Sequence, residues 1–406
     1  MTDSTLTLVD QGEMESAIRR FLPELIAIRR HIHQHPEIGF EEFATAQLVA
    51  EKLTAWGLSV ATGIGGTGVV ATLRGRYPGA GSIGLRADMD ALYISEKTGL
   101  PYASRHPGKM HACGHDGHTA MLLGAARYLA LHPDFAGTVH FIFQPAEEGL
   151  GGAPAMLNDG LLTRFPCDQL FGLHNKPGIA AGRFSIRSGP MLAASDVWQV
   201  TFHGTGGHGG SGAHLSIDPT LPAAQFMLGL QTIISRNVPA MEAAVLSIGH
   251  IQGGDINAPN VIPDRVRLKG TGRSYSPAVR QLLETRLREL AHHAAQGFGA
   301  TAEVSYQHQY PPLINDARVT ELAIAAAAQV VGAEQVDTAM TPLLGAEDFS
   351  YMLEQRPGAF MMLGNSAQDD AEVRHLHTPH YDFNDALIPL GIRYWATLVY
   401  QELRPA

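Results

Sequence analysis

Apolar residues recur three and four positions apart in two stretches near the N-terminus, which is the spacing of one face of an α-helix. The first stretch covers residues 18–32, and Pro36 ends it soon afterwards. The second covers residues 43–56, and Gly57 follows where a helix C-terminus favours glycine. We therefore predict two amphipathic helices before residue 60.

Short apolar runs rich in β-forming residues follow, separated by helical segments. A continuous apolar helix is predicted at 119–126. Strands are predicted at 68–73, 83–87, 138–143 and 170–173. Apolar strands that alternate with helices are typical of a buried parallel sheet. We predict an α/β domain with a mixed, mostly parallel sheet flanked by helices.

The pattern changes near residue 190, where strands begin to alternate between apolar and polar positions. Strands are predicted at 197–202, 244–248 and 265–270, and helices at 221–235 and 279–295. This set indicates a smaller α+β domain. The last residues return to the first pattern, with helices at 319–331, 348–354 and 385–403 and a strand at 360–363. We predict one domain from 1–190 and 310–406, with residues 191–309 inserted into it.

Composition narrows the class of protein. A chain of 406 residues is too long for one ordinary core, and 45% hydrophobic with 17% charged residues is typical of a globular protein. The net charge of −10 disfavours nucleic acid and acidic membrane surfaces as partners. The chain has only two cysteines, which suits a reducing compartment. The stretch from Met1 to Glu15 is polar, and no apolar run reaches the ~18 residues of a membrane span. We therefore predict a cytoplasmic protein.

The densest candidate chemistry lies between Lys109 and His118, where one thiol, three imidazoles and a carboxylate fall within ten residues. Cys113 and His115 are two positions apart, so they can share a target only on a turn or an extended end. A turn with such side chains before a buried helix suggests a metal site. Two alternatives stay open: a buried cysteine beside surface histidines, or a Cys113 nucleophile with His115 or His118 as its base.

Several predicted strands end in polar side chains. These are Asp88, Asp90, Glu147, Glu148 and His174. In open α/β sheets the carboxyl ends of the strands line the ligand crevice, so these side chains could converge there. The adjacent Glu147 and Glu148 suit a division of labour in which one holds a cation and the other takes a proton from water. The alternative is two solvated glutamates.

Two glycine patterns, at 63–68 and 204–209, match a dinucleotide-binding spacing, but neither follows a strand and opens a helix. Together the other motifs resemble the zinc-dependent amidohydrolase and metallopeptidase family of aminoacylases and glutamate carboxypeptidases. The most similar branch holds hippurate hydrolase, N-acetyl-amino-acid deacetylases and indoleacetyl-amino-acid hydrolases. The matching segments are 35–37, 86–92, 110–116, 143–148, 207–209, 218–219, 260–263, 345–349 and 376–377.

The resemblance implies two divalent metal ions per chain, with the ligands Cys113, His115, Glu148, His174 and His377. It implies that Glu147 is the general base and that the inserted domain is a lid and a dimer interface. It also implies that His208 reaches the other subunit's site to stabilise the oxyanion. Asn260 and Arg273 are candidates for binding the substrate carboxylate, which a guanidinium can hold through two hydrogen bonds.

Thiolate and imidazole ligands favour Zn, Mn, Co or Ni. The resemblance implies an amidohydrolase that cleaves N-acyl amino acids, as a homodimer or higher oligomer. A dipeptidase or carboxypeptidase with the same metals is an alternative, and a non-catalytic metal-dependent binding protein is another. Two residues depart from the branch, Tyr93 and Ala213, each where proline is usual. These departures put the lid conformation and the substrate fit in question, but not the chemistry.

Overall fold

The computed structural model describes residues 10–367 and 373–405. The chain separates into two compact units: unit 1 comprises Met1–Gly189, Ile314–Thr341 and Tyr351–Ala406, and unit 2 comprises Pro190–Leu313 and Pro342–Ser350. Among the described residues, no helix has the length and apolar character needed to cross a membrane. Most of the polar start, residues 1–9, lies outside the described part. The roles of the two units as catalytic domain and lid stay predictions.

The α-helices are α1 (Gln11–Arg19), α2 (Leu22–Gln34), α3 (Phe43–Ala55), α4 (His115–Leu131), α5 (Gly152–Asn158), α6 (Leu161–Arg164), α7 (Thr220–Thr232), α8 (Pro277–Gly297), α9 (Ala317–Val331), α10 (Phe349–Leu353) and α11 (Leu387–Glu402). The strands are β1 (Ser59–Ile64), β2 (Gly68–Arg74), β3 (Tyr77–Asp88), β4 (Ala136–Gln144), β5 (Gln169–Ala180), β6 (Phe184–Ser185), β7 (Gly189–Leu192), β8 (Ala194–His203), β9 (Gly207–His208), β10 (Ala244–Gly253), β11 (Val261–Ile262), β12 (Arg265–Ser274), β13 (Thr301–Tyr310), β14 (Leu313–Asn315), β15 (Val336–Asp337) and β16 (Gly358–Ser366).

Unit 1 is built on an eight-stranded sheet in the order β1-β2-β4-β3-β5-β16-β6-β15. The central strands β4, β3, β5 and β16 are parallel, whereas β1, β2 and β4 are joined by antiparallel pairings. Apolar residues of the central strands are buried, and α2, α4 and α11 pack together beside them. The prediction of an α/β fold with a mostly parallel sheet is confirmed.

One predicted helix is wrong in its extent. The apolar pattern of residues 18–32 was predicted as a single helix, but α1 ends at Arg19 and α2 begins at Leu22. Pro23 lies in the first turn of α2. Proline has no N–H to donate to a preceding turn, so it is tolerated at a helix start and not in a helix interior. Both helices pack against α4 and α11, so apolar residues recur on either side of the break.

Unit 2 contains a four-stranded antiparallel sheet in the order β10-β12-β8-β13. Helices α7 and α8 pack against it around a separate core that includes Trp198, Phe202, Phe226 and Leu287. This arrangement is α+β, as the alternating pattern predicted. The prediction missed β13, which ends at Tyr310, where the second part of the larger domain was predicted to begin.

The parallel strands bring their polar ends to one edge of the sheet in unit 1. Asp88 is the last residue of β3 and pairs with Gln144, the last residue of β4. His174 lies on β5 opposite Met362 of β16. The carboxyl ends of parallel strands are where ligands bind in open α/β sheets. This edge is therefore the candidate functional site of unit 1.

Candidate metal centre

Cys113 lies on a turn that leads directly into α4. Gly114 has a φ of 94°, a left-handed conformation, and α4 begins at His115. A Cβ at Gly114 would lie 2.2 Å from Asn175 Nδ2, so a larger residue would not fit there. Asn175 Nδ2 donates to Cys113 O at 2.5 Å, and His377 N donates to Ala112 O at 2.8 Å. These bonds hold the turn between β5 and the C-terminal loop.

Three predicted ligands meet at this turn. Ligand atoms of Cys113, Glu148 and His377 lie within 4.8 Å of one another. His377 Nε2 is 3.1 Å from Glu148 Oε1. His377 has a φ of 60°, which is uncommon for a residue other than glycine. Such backbone strain is concentrated at functional sites, where the surrounding structure holds it in place.

His115 lies beside Glu148, one of these three ligands. Ligand atoms of His115, Glu147 and Glu148 also lie within 4.8 Å of one another. His115 Nδ1 donates to Asp90 O at 2.9 Å and lies 3.2 Å from Asp90 Oδ1. His115 Nε2 is buried and has no hydrogen-bond partner among the described residues. A metal-binding histidine usually donates its second N–H to a carboxylate or a carbonyl in this way.

His174 is held in a matching orientation. Its Nδ1 lies 2.6 Å from Asn175 O, to which it donates, and its Nε2 lies 3.4 Å from Cys113 Sγ. Burial, with His118 close by, lowers the pKa of His174 well below its ordinary value. The ring is therefore neutral, and Nε2 carries a lone pair directed towards the thiol. A neutral imidazole is the form that binds a metal.

His118 is different, because both of its ring nitrogens are engaged. Its Nδ1 lies 2.6 Å from Asp88 Oδ1, and its Nε2 accepts from Asn175 N at 2.9 Å. It therefore has no lone pair left to activate Cys113. Burial, followed by Glu148 and Glu147, raises the pKa of the Cys113 thiol well above its usual range. Both observations disfavour the alternative of a cysteine nucleophile, which needs a thiolate and a base.

The electrostatics of the site fit a cation. Burial opposes the charged form of His115, but Asp88 and Asp90 outweigh it and raise the pKa of His115 to about 10. The carboxylates thus favour positive charge at this buried position. A divalent cation there would also stabilise the Cys113 thiolate. A set of one thiol, imidazoles and carboxylates is suited to a transition metal.

The three predicted residues of unit 2 are only partly brought together. His208 on β9 pairs with Val261 on β11, and Gly209 N donates to Asn260 O at 2.7 Å, so His208 and Asn260 share one small ribbon. His208 is exposed, and its Nδ1 accepts from Gly210 N at 3.0 Å. Arg273 lies apart from them on β12, where its Nη1 donates to Gly272 O at 2.8 Å.

Comparison with known proteins gives the family. Residues 84–401 match the sequence family described as Peptidase family M20/M25/M40. The hippurate hydrolase of Campylobacter jejuni is 39% identical over 381 residues, which cover 94% of this chain and 97% of that protein. The N-acetyl-L-cysteine deacetylase of Bacillus subtilis is 41% identical over 366 residues, which cover 90% of this chain and 85% of that protein.

The chain belongs to peptidase family M20/M25/M40. A solved structure of that family, the Bacillus subtilis YXEP protein, is described as a dinuclear metal-binding peptidase. It superposes on this chain with a TM-score of 0.81 at 34% sequence identity, and the match covers 96% of this chain and 100% of the YXEP chain. The resemblance stated from the motifs is confirmed, and with it the prediction of a hydrolytic enzyme. The individual roles of the site residues in this M20 member stay predictions.

Asn175 and Tyr381 also support this M20 site, and neither was predicted from the sequence. Asn175 holds the Cys113 turn and His118, and Tyr381 Oη donates to Asn175 Oδ1 at 2.8 Å. Asn175 directly follows His174 at the end of a predicted strand, and that position was a usable signal. Nothing in the sequence near Tyr381 indicates the contact, because the two residues are far apart along the chain.

Proposed function

We propose that this chain hydrolyses the amide bond of N-acyl amino acids, with two divalent metal ions as cofactors. The products are a carboxylic acid and a free amino acid. The observation that carries the proposal is the cluster of Cys113, His115, Glu147, Glu148 and His377 at one edge of the sheet. The named activities of the hippurate hydrolase and the deacetylase support this substrate class.

Five residues would hold the metals: Cys113, His115, Glu148, His174 and His377. When bound, two divalent ions would supply Lewis-acid polarisation of the amide carbonyl and would lower the pKa of a bound water. Five protein ligands exceed one tetrahedral shell, which supports two ions rather than one. Zn, Mn, Co and Ni all suit these donors.

The adjacent glutamates take different tasks in this mechanism. Glu147 accepts a proton from the attacking water and passes it to the leaving amine, which is general base and then general acid catalysis. Glu148 acts as a metal ligand and places a negative charge beside His377 and Cys113. Burial opposes its ionisation, but His377 and His115 outweigh that effect and lower the pKa of Glu148. Its carboxylate is therefore ionised at neutral pH, as a ligand requires.

We infer that unit 2 completes the site from a second subunit. In this proposal His208 donates to the developing oxyanion, and Asn260 and Arg273 bind the substrate carboxylate. Two features support a homodimer through unit 2. Strand β10 lies at the edge of its sheet, with Ile251 59% exposed, and Leu228 on α7 is 78% exposed. Exposed apolar side chains beside an open edge favour association.

Cys113 and Cys167 are both free thiols, which supports a reducing compartment such as the cytoplasm. The substrate is a small molecule, and the net charge of −10 disfavours nucleic acid as a partner.

A hydrolysis screen tests the substrate class. Protein loaded separately with Zn, Mn, Co and Ni is assayed against hippurate, N-acetyl amino acids and dipeptides, with release of free amino acid as the signal. We expect hippurate or N-acetyl amino acids to be cleaved with kcat/KM at least about tenfold above any dipeptide, the discrimination that one or two pocket contacts supply. Preference for dipeptides would favour the dipeptidase alternative, and metal uptake without any hydrolysis would favour a binding protein.

A further inference from the structure

The turn that carries Glu147 is held by backbone hydrogen bonds on both sides of this residue. Ala146 N donates to Glu42 Oε1 at 2.8 Å, and Glu148 N donates to Asp90 Oδ2 at 2.9 Å. The two amides that flank Glu147 therefore each donate to a buried carboxylate. This pattern fixes the direction in which the Glu147 side chain leaves the backbone.

The turn needs such support because its conformation is strained. Ala146 has a φ of 53°, in the left-handed region that residues other than glycine rarely adopt. A Cβ at Gly39 would lie 2.9 Å from Ala146 Cα, so the chain on that side is in close contact. Gly152 N donates to Ala146 O at 3.0 Å. Strain of this kind persists only where surrounding contacts hold it.

Glu42 is itself rigidly placed and fully buried. It directly precedes α3, and Ala46 N donates to its backbone oxygen at 2.9 Å. Thr67 Oγ1 donates to Glu42 Oε2 at 2.5 Å. The two carboxylate oxygens thus accept from different parts of the chain: Thr67 donates to Oε2, and the strained turn donates to Oε1. The side chain links the start of α3 to the catalytic turn after β4.

We propose that Glu42 is a positioning residue for Glu147, acting through the amide of Ala146 to hold the strained turn that aims the general base. This inference rests on the proposed function, because it takes Glu147 as the base. Burial, with the nearby charge of Asp90, raises the pKa of Glu42 to about 7. The ionised carboxylate is therefore less favourable here than in water. The position accordingly needs an acceptor for Ala146 N and a partner for Thr67.

Three variants separate positioning from simple stability. Glu42→Ala removes the acceptor for Ala146. Glu42→Gln keeps an oxygen for Ala146, and its amide can donate to the Thr67 hydroxyl. Thr67→Val is the matched control, because it removes one buried hydrogen bond to the same carboxylate and leaves the bond to Ala146.

We expect Glu42→Ala to lower kcat by roughly 10–100-fold, the order of loss that a misplaced catalytic group causes, with KM changed less than about threefold and metal content unchanged. Glu42→Gln and Thr67→Val should stay within about threefold of wild type in kcat, since both keep the Ala146 bond. Hydrogen–deuterium exchange of the Ala146 amide should be at least about tenfold faster in Glu42→Ala alone.

Two results would overturn the proposal. One is Glu42→Ala with lowered thermal stability, unchanged kcat and unchanged exchange at Ala146, which would make Glu42 purely structural. The other is Glu42→Gln as impaired as Glu42→Ala, which would show that the acceptor is not what matters. If wild type cleaves no N-acyl amino acid, the proposed function fails, while the exchange measurement still decides whether Glu42 holds the turn.

Discussion

Glu147→Gln is expected to keep its metal content and to lose roughly 10²–10⁴-fold in kcat, the usual contribution of a general base. The amide is nearly isosteric with the carboxylate but cannot accept the proton of the attacking water. The metal ligands named above are unchanged in this variant. Elemental analysis and steady-state kinetics on the same preparation measure both quantities.

Glu148→Gln is the matched control for that variant, one residue further along the same turn. It removes a negative charge beside His377, whose Nε2 lies 3.1 Å from Glu148 Oε1. We expect this variant to lose metal affinity first and to regain part of its activity at high metal concentration. Indistinguishable metal content and kinetics in the two variants would contradict the division of labour between the glutamates.

A mixture of Glu147→Gln and His208→Ala subunits is expected to recover activity that neither variant has alone. If His208 acts across a two-fold interface, each site needs the metals of one subunit and the unit 2 of the other. In a mixed dimer one site then has both residues intact, and the other has both lesions. Random exchange makes about half of the dimers mixed, so activity should reach roughly a quarter of wild type.

The mixing experiment has a built-in control for exchange. One of the two variants carries a heavy isotope label, and native mass spectrometry of the mixture reports the fraction of mixed dimers. Confirmed exchange with activity no higher than that of the separate variants would show that His208 acts within its own subunit or has no role in catalysis. A single species of monomer mass would contradict the dimer itself.

The local part of the site could be predicted from the sequence. Cys113 and His115, two positions apart with a glycine between them, indicated a turn before a buried helix. The structure has that turn, with Gly114 in the left-handed conformation and α4 beginning at His115. The end of β3 at Asp88 was predictable for the same reason, since Asp88 follows a local apolar run. The predicted end at residue 173 was not correct, because β5 continues past His174 to Ala180.

Contacts between distant residues could not be predicted in this way. Glu42 and Ala146 are 104 positions apart, and no periodicity relates them. In the sequence Glu42 only precedes the helix predicted at 43–56, and it is the folded chain that brings it to the turn after β4. The engagement of both nitrogens of His118 is equally non-local, because it depends on Asp88 at the end of β3 and on Asn175 within β5.

Hydrolysis by this chain is expected to depend on bound metal, and activity measured against the number of metal ions per chain tests that dependence. Apo protein is titrated with Zn, Mn, Co or Ni, and hydrolysis of hippurate or an N-acetyl amino acid is followed at each metal content. We predict negligible activity without metal, a maximum near two ions per chain, and lower metal affinity in Cys113→Ser. Full activity in the apo protein, or Cys113→Ser with full metal content and no activity, would contradict the account.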